Sequence, residues 1–594
     1  KYKPDGNDTQ GAITYTVDFE DLAGNDGAQE TSPPQTGAGV TLDLAHPTVS
    51  VSSILSNNAY SNTLAKVGDR VSLTFVTNEK ILAPTVVFTS GGAVVNNSTN
   101  ITNQSSDKKN WTASYLTSSS DPDGDVGYTI NFKDLATNDG VQEAASGTIR
   151  FDKTLPTLSG VSIASNNDTG FTAHAKVGHE VTLTFTASEA IQANPAVVFT
   201  SGGQPINGGV SYAHTGNTWT AKYTTEAGDT AGLVGYTINF MDSAGNSGLT
   251  RNTGNGGHPA DVTFDRTAPT IGNISIASNN TWLTNCCTPG PTAHAKAGHE
   301  ITLSFRADNA EVLRTPVVVF ESGGQPVVNR LGNTPAITYA TSDSGVTWTA
   351  KYTTHSSDTA GTITYEIDFV DRAGNNNGAD ITSGHPTNVT FDKTAPALNS
   401  ISIASDNVPN TLANTDDIVT LTIASSSSEK LQQPVIVFNS GAAALTGTPV
   451  ITYATADNGI TWTAKYVPHA SDTNGDVTST INYKDLAGND GNQRVSETDS
   501  SAVEVDLVVP TVSVTSIANT TSGVPSTTLA KAAEVITLTF VTNEEIHEPV
   551  VVFKTNSQPV VNRLGNGSGI TYTNVGGDKK NWTAAYTTHA SDHD

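Results

Sequence analysis

The stretch "TWTAKYTTEAGDTAGLVGYTINFMDSAGN" (218–246) decides the fold. Trp219, Ala221 and Tyr223 alternate with Thr and Lys, and Tyr236, Ile238 and Phe240 alternate with polar residues; an acidic, glycine-containing link lies between. Alternation of period two marks half-buried β-strands. Upstream, "LSGVSIAS" (158–165), "EVTLTFTAS" (180–188), "PAVVFTS" (195–201) and "GVSYA" (209–213) read the same way, and "DVTFD" (261–265) follows downstream. Seven strands without a helical period, separated by Gly, Pro and Asn, predict an all-β, immunoglobulin-like sandwich with Trp219 as the largest piece of its core.

The stretch belongs to a series. Its Trp phrase recurs as "NWTASY" (110–115), "TWTAKY" (347–352), "TWTAKY" (461–466) and "NWTAAY" (581–586). Its acidic turn recurs as "VDFEDLAGNDG" (17–27), "INFKDLATNDG" (130–140), "IDFVDRAGNNNG" (367–378) and "INYKDLAGNDG" (481–491). A boundary phrase, "FDRTAPT" (264–270), has counterparts "LDLAHPT" (42–48), "FDKTLPT" (151–157), "FDKTAPA" (391–397) and "VDLVVPT" (505–511). The boundary prolines recur at intervals of 109, 113, 127 and 114 residues, the mark of a tandem array. The divisions are 1–45, the end of a repeat; 46–153, 154–266, 267–393 and 394–507, whole repeats; and 508–594, the start of another. Linkers this short, each with a stiff Pro, predict an extended rod.

Of 594 residues, 36% are apolar and 15% charged, and the net charge is −27. An acidic chain is a poor partner for phosphate, so nucleic acid is excluded as a ligand. No run of 18 apolar residues suggests a membrane span in this segment. The first residue is Lys, which fits a leader already removed. Sequons at Asn7, Asn96, Asn97, Asn100, Asn103, Asn110, Asn167, Asn273, Asn279, Asn388, Asn519, Asn566 and Asn581 point to a secreted glycoprotein, each being weak in a chain so rich in Asn, Ser and Thr. The two cysteines, Cys286 and Cys287, are adjacent, inside an insertion "WLTNCCTPGP" (282–291). They read as an oxidised neighbour pair or as bonds to other chains, with two free thiols in a loop as the plainer alternative.

The Asp-x-Ala-Gly-Asn turn admits two readings. Asp242 can close an Asx turn, with Gly245 at positive φ and Asn246 tolerating the left-handed region. Alternatively, acidic oxygens gather where sandwiches meet, and Ca²⁺ requires six to eight oxygens at about 2.4 Å. On that reading the pairs are Asp21/Asp43, Asp134/Asp152, Asp242/Asp265, Asp371/Asp392 and Asp485/Asp506, with Asn25, Asn138, Asn246, Asn375 and Asn489 giving side-chain carbonyls. Each pair is expected at one pole of its sandwich. A further acidic loop, "SDPDGDVG" (120–127), places Asp121, Asp123 and Asp125 alternately, as a calcium loop or as a solvated hairpin turn. No Gly-x-Ser-x-Gly, P-loop or Cys–His constellation argues for an enzyme, and the "AHAKxGHE" histidines lack a second ligand pair for zinc.

The order "LTFTASEAI … WTAKYT … YTINFMDSAGN … VTFDRTAPT" resembles the bacterial-type immunoglobulin-like repeats of large surface adhesins and other extracellular fibre proteins, across essentially the whole chain. The resemblance implies an extracellular stalk or surface appendage, stiffened by calcium at its joints. "ATN" at 136–138 and the joints at 46–48 and 508–510 depart from the pattern. The first residues align with 351–369, inside a repeat, and the last stop just after a Trp strand. Either a window from a longer array or head-to-tail strand exchange between chains, giving self-associated fibres, fits this. The rival expectation is a binding module recognising a glycan or a surface protein through loop tips, with Trp282 as its one unusual aromatic.

Overall fold

The computed structural model describes residues 1–31, 39–96, 98–104, 106–253, 261–282, 287–327, 337–376, 381–382, 388–495, 497–560 and 569–592. The second repeat sets the pattern. Its strands are β1 (Leu158–Ser165), β2 (His174–Ala175), β3 (Glu180–Ala187), β4 (Ala196–Ser201), β5 (Gln204–Pro205), β6 (Ser211–Thr215), β7 (Thr218–Thr224), β8 (Gly232–Asn239), β9 (Arg251–Asn252) and β10 (Thr263–Phe264). One sheet runs β1-β3-β7-β6; the other runs β2-β10-β8-β4-β5, with β9 added to β8. Every pairing is antiparallel except that of β2 with β10. Two facing sheets in this order form an immunoglobulin-like sandwich, and the same two sheets recur in the other whole repeats. The chain is an all-β array of tandem immunoglobulin-like β-sandwiches.

The seven strands expected from alternation are all present. Three two-residue strands, β2, β5 and β9, escaped the reading because two residues cannot display a period; β10, equally short, was legible only through the alternation of the surrounding "DVTFD". Register places Phe185 opposite Trp219, Leu183 opposite Ala221 and Val181 opposite Tyr223. Across the sandwich, Phe199 faces Tyr236 within its own sheet and packs its ring 4.9 Å from Tyr223 of the other. Trp219 is 5% exposed in this core. The equivalent ring pairs, Phe88–Tyr115, Phe320–Tyr352 and Phe438–Tyr466, lie at 4.7 to 4.8 Å.

Residues 1–31 and 39–43 form two short pairings, Gly11–Ala12 with Thr41–Leu42 and Thr16–Val17 with Glu30–Thr31. The final segment forms a four-stranded sheet of Val512–Asn519, Val535–Thr542, Asn581–Thr587 and Thr571–Asn574. Among the described residues, no helix is long and apolar enough to cross a membrane.

Strand direction places the site. Because β8 and β10 are antiparallel, with Gly232 opposite Phe264, the end of β8 and the end of β10 lie at opposite poles of one sandwich. The expectation that Asp242 and Asp265 share a pole is therefore corrected. Asp242 sits at the pole facing the preceding repeat, and Asp265 leads into the following one.

Candidate joint site

The acidic turn is a closed hydrogen-bond unit. Asp242 Oδ1 accepts from the Asn246 backbone amide at 2.8 Å, and Oδ2 accepts from Asn246 Nδ2 at 2.8 Å. The Asp242 amide donates to the Asn246 carbonyl at 3.0 Å. Gly245 completes the turn at φ +86°, and a Cβ there would fall 2.5 Å from the Tyr60 ring of the preceding repeat. Asp21/Asn25, Asp134/Asn138, Asp371/Asn375 and Asp485/Asn489 repeat the same two side-chain bonds. The Asx-turn part of the reading thus holds at all five copies, with the positive φ carried by Gly24, Thr137, Gly245, Gly374 and Gly488; the expectation that the asparagine itself takes the left-handed region is corrected.

Four of the five turns are also one half of a joint. Asn138, Asn246, Asn375 and Asn489 donate from Nδ2 to the carbonyls of Asp43, Asp152, Asp265 and Asp392, at 2.9 to 3.1 Å. In the opposite direction, Lys66, Lys176 and Lys296 donate to the carbonyls of Gly245, Gly374 and Gly488, at 2.5 to 2.7 Å. Asn58, Asn167 and Asn280 donate from buried amides to Ala244, Arg372 and Leu486 of the next repeat, at 2.7 to 3.0 Å. Three kinds of donor therefore bind sandwich to sandwich at every joint between whole repeats. Sequence reading missed these lysines: the recurring "AK" before each "GHE" or "GDR" carried the signal, but nothing local says what a lysine reaches.

The same joints gather carboxylates. Asp43, Glu79 and Asp134 come together, as do Asp152, Glu189 and Asp242; Asp265, Glu311 and Asp371; and Asp392, Glu429 and Asp485. Each triad offers oxygens within 4.8 Å of one another. The pairing is a correction by one repeat: Asp43 meets Asp134 and not Asp21, Asp152 meets Asp242 and not Asp134, Asp265 meets Asp371 and not Asp242, and Asp392 meets Asp485 and not Asp371. Asp21 and Asp506 join no such group among the described residues. The asparagines brace through Nδ2, and a glutamate takes the third place. That glutamate recurs shortly after β3 and its equivalents, in "TNEKI" (77–81), "ASEAI" (187–191) and "SSEKL" (427–431), 36 or 37 residues after one aspartate of its triad and 53 to 56 before the other.

Crowding raises the affinity of these carboxylates for protons. Burial first, then the neighbouring aspartates, pushes up Glu79, Glu189 and Glu311. The same causes take Glu429 up to about 7. Burial also raises Asp152 and Asp485. Each triad is an electrostatic liability unless a proton or a cation relieves it.

Asp121, Asp123 and Asp125 do not converge. Asp121 is buried and accepts from the Ser118 amide at 2.8 Å. Asp123 accepts from the Lys153 amide and from Thr154 Oγ1, both at 2.7 Å. Asp125 lies in a strand, opposite Arg150. Of the sequons, Asn7, Asn96, Asn100, Asn273, Asn279 and Asn388 are exposed, and Asn103, Asn110 and Asn581 are half-buried. Two sequons are corrected: Asn167 and Asn519 are buried, with Nδ2 spent on protein acceptors, so neither amide is open to a glycan. Asn97, Asn566 and Cys286 lie outside the described residues. Cys287 is disulfide-bonded and 6% exposed, with Leu431 of the fourth repeat beside it.

No family model and no curated protein matches the chain. Among solved structures, a tetra-tandem repeat from the extending region of a large adhesion protein is similar at 15% identity and a TM-score of 0.26, covering 78% of this chain and 100% of that one. A fragment of three immunoglobulin domains from titin is similar at 8% identity and a TM-score of 0.25, covering 59% of this chain and 100% of the fragment. The immunoglobulin domains in the complex of Dpr2 with DIP-Theta are similar at 13% identity and a TM-score of 0.20, covering 59% and 100%.

Proposed function

We propose that the chain is a stalk of an extracellular fibre or surface adhesin, whose sandwiches are held in line by braced joints and tightened by Ca²⁺. The observation that carries this reading is the recurrence of the same three cross-joint donors at every joint between whole repeats. A chain of independent modules has no need to repeat them. The triads fit calcium by chemistry: hard carboxylate oxygens from two adjoining sandwiches, already oriented by the turn, with water to complete the shell. Bound Ca²⁺ would cancel the repulsion among three carboxylates and link the two sandwiches directly. Small-angle scattering of the full chain, with calcium and then with chelator, tests both parts. A long rod that shortens or softens on chelation is expected. A profile unchanged by chelation removes calcium from the reading, and a compact or freely jointed profile in both conditions removes the stalk.

A further inference from the structure

We propose that clefts at two of the three joints between whole repeats bind a neutral pyranose unit of a glycan. The first-to-second joint holds a cleft of about 410 Å³, and the third-to-fourth joint one of about 660 Å³. Matching residues line both: an aromatic two positions after the bridging asparagine (Tyr60, Trp282), a glutamine (Gln192, Gln432), and an asparagine at the end of the β8 strand or its equivalent (Asn239, Asn482).

The second-to-third joint serves as an internal control. There Thr169 replaces the aromatic and Arg314 replaces the glutamine. Arg314 lies 4.3 Å over the Phe171 ring and donates to Asp168 Oδ2 at 2.5 Å and Asn167 Oδ1 at 2.7 Å. Where the aromatic and glutamine are lost together, the protein fills the position with its own ion pair.

The lining chemistry selects a sugar. An aromatic ring offers an apolar face to the C–H face of a pyranose, and planar amides both donate to and accept from neighbouring hydroxyls. Gln192 Oε1 is buried without a hydrogen-bond partner, so turning this amide into the cleft, where it would accept from a ligand hydroxyl, breaks no existing bond of that oxygen. The Oδ1 atoms of Asn239 and Asn482 are taken by Thr250 and Gln493, at 2.7 and 2.8 Å, so the part of each amide open to a ligand is its donor. The two lysines of the larger cleft are engaged, Lys296 with the Gly488 carbonyl at 2.5 Å and Lys484 with Asp490 at 3.0 Å. A neutral ligand is thereby favoured over an anion.

Trp282 gives the readout. It is half-buried, whereas Trp111, Trp219, Trp348, Trp462 and Trp582 are each 7% exposed or less. Titrating the full chain with cellohexaose, mannohexaose and chitohexaose should shift its fluorescence with at least one of them. Calorimetry with that sugar should count two sites. Gln432→Ala should weaken the fluorescent site about tenfold, the loss of roughly one hydrogen bond, with the circular dichroism unchanged. Tyr60→Ala should leave one site, and Arg314→Gln combined with Thr169→Trp should raise the count to three. No response to any of the three hexasaccharides, or binding indifferent to both Gln432→Ala and Tyr60→Ala, overturns the proposal.

Discussion

Within a repeat, two sheets meet through rings and branched chains; between repeats, two sandwiches are bonded through amides, ammonium groups and carboxylates. Only at the third-to-fourth joint, among the described residues, do Trp282 and Cys287 also pack on the next repeat's core. The second repeat's core holds Phe185, Phe199, Trp219, Tyr223 and Phe264, each 5% exposed or less. The joint that follows is held by Lys176, Asn167 and Asn375, each donating across the boundary, and by Arg314, which donates back to Asp168 and Asn167. A buried aromatic is worth several kcal/mol and a single hydrogen bond about one. Joints should therefore open well before sandwiches unfold. Directional bonds set the angle between repeats, while the cores set their lifetime.

The largest expected effect lies in a core. Trp348→Ala should cost the third repeat about 3–5 kcal/mol through lost burial and the cavity left behind. Scanning calorimetry should show one repeat melting early with the others unmoved. Simultaneous melting of its neighbours would erase the distinction between core and joint. Next comes Asn375→Ala, which removes bonds to both Asp371 Oδ2 and the Asp265 carbonyl. It should destabilise the joint by about 1–3 kcal/mol and leave the melting of the third repeat's core nearly in place. Spin labels on either side of the joint should report a broader distance distribution; an unchanged width would mean that the turn alone, and not its reach across the boundary, employs this residue.

The same contrast explains what could be read beforehand. Alternation in "TWTAKYT" and "GYTINF" is local, so seven strands and the inward faces followed directly from spacing. The acidic turn was legible as a turn because Asp242 and Asn246 are four residues apart. Its partners were not legible, because Asp152 lies in the boundary phrase before the repeat and Glu189 just after β3. Assigning Asp242 to Asp265 failed on strand direction: parity fixes which face a residue takes, but only the antiparallel course of β8 and β10 fixes which pole it reaches. Asn167 shows the same limit, since a sequon is a local pattern and burial in a joint is not.

Acidity separates joint from core in a third way. Glu429 holds its proton more tightly in the folded protein, about 7 against an ordinary 4.5. The native joint therefore binds more protons than the unfolded chain between those values, and metal-free stability should fall as pH rises from about 4.5 to 7, then level off. In chelator, the fourth repeat should melt higher at pH 5.5 than at pH 8. Glu429→Gln should flatten that dependence, raise the metal-free melting temperature, and abolish any gain from calcium. Were the variant instead to keep the full pH dependence, Asp485 and not Glu429 would be the residue that holds the proton.

The smallest expected effect is the most discriminating between joints. Lys66→Met and Lys176→Met each delete one charge-assisted bond to a glycine carbonyl, at 2.7 and 2.6 Å. The loss should be about 1.5 kcal/mol in either case, the low end for a bond from a charged donor. At the second-to-third joint, however, Arg314 still ties Asp168 and Asn167 across the boundary. At the first-to-second joint, Gln192 stands in that place with its Oε1 unpartnered. Equal bond losses should then give unequal motion: Lys66→Met should widen the label-to-label distance distribution more than Lys176→Met, and Arg314→Gln added to Lys176→Met should bring the two joints level. Because the two deletions touch chemically identical bonds, any difference between them measures the strap and not the lysine.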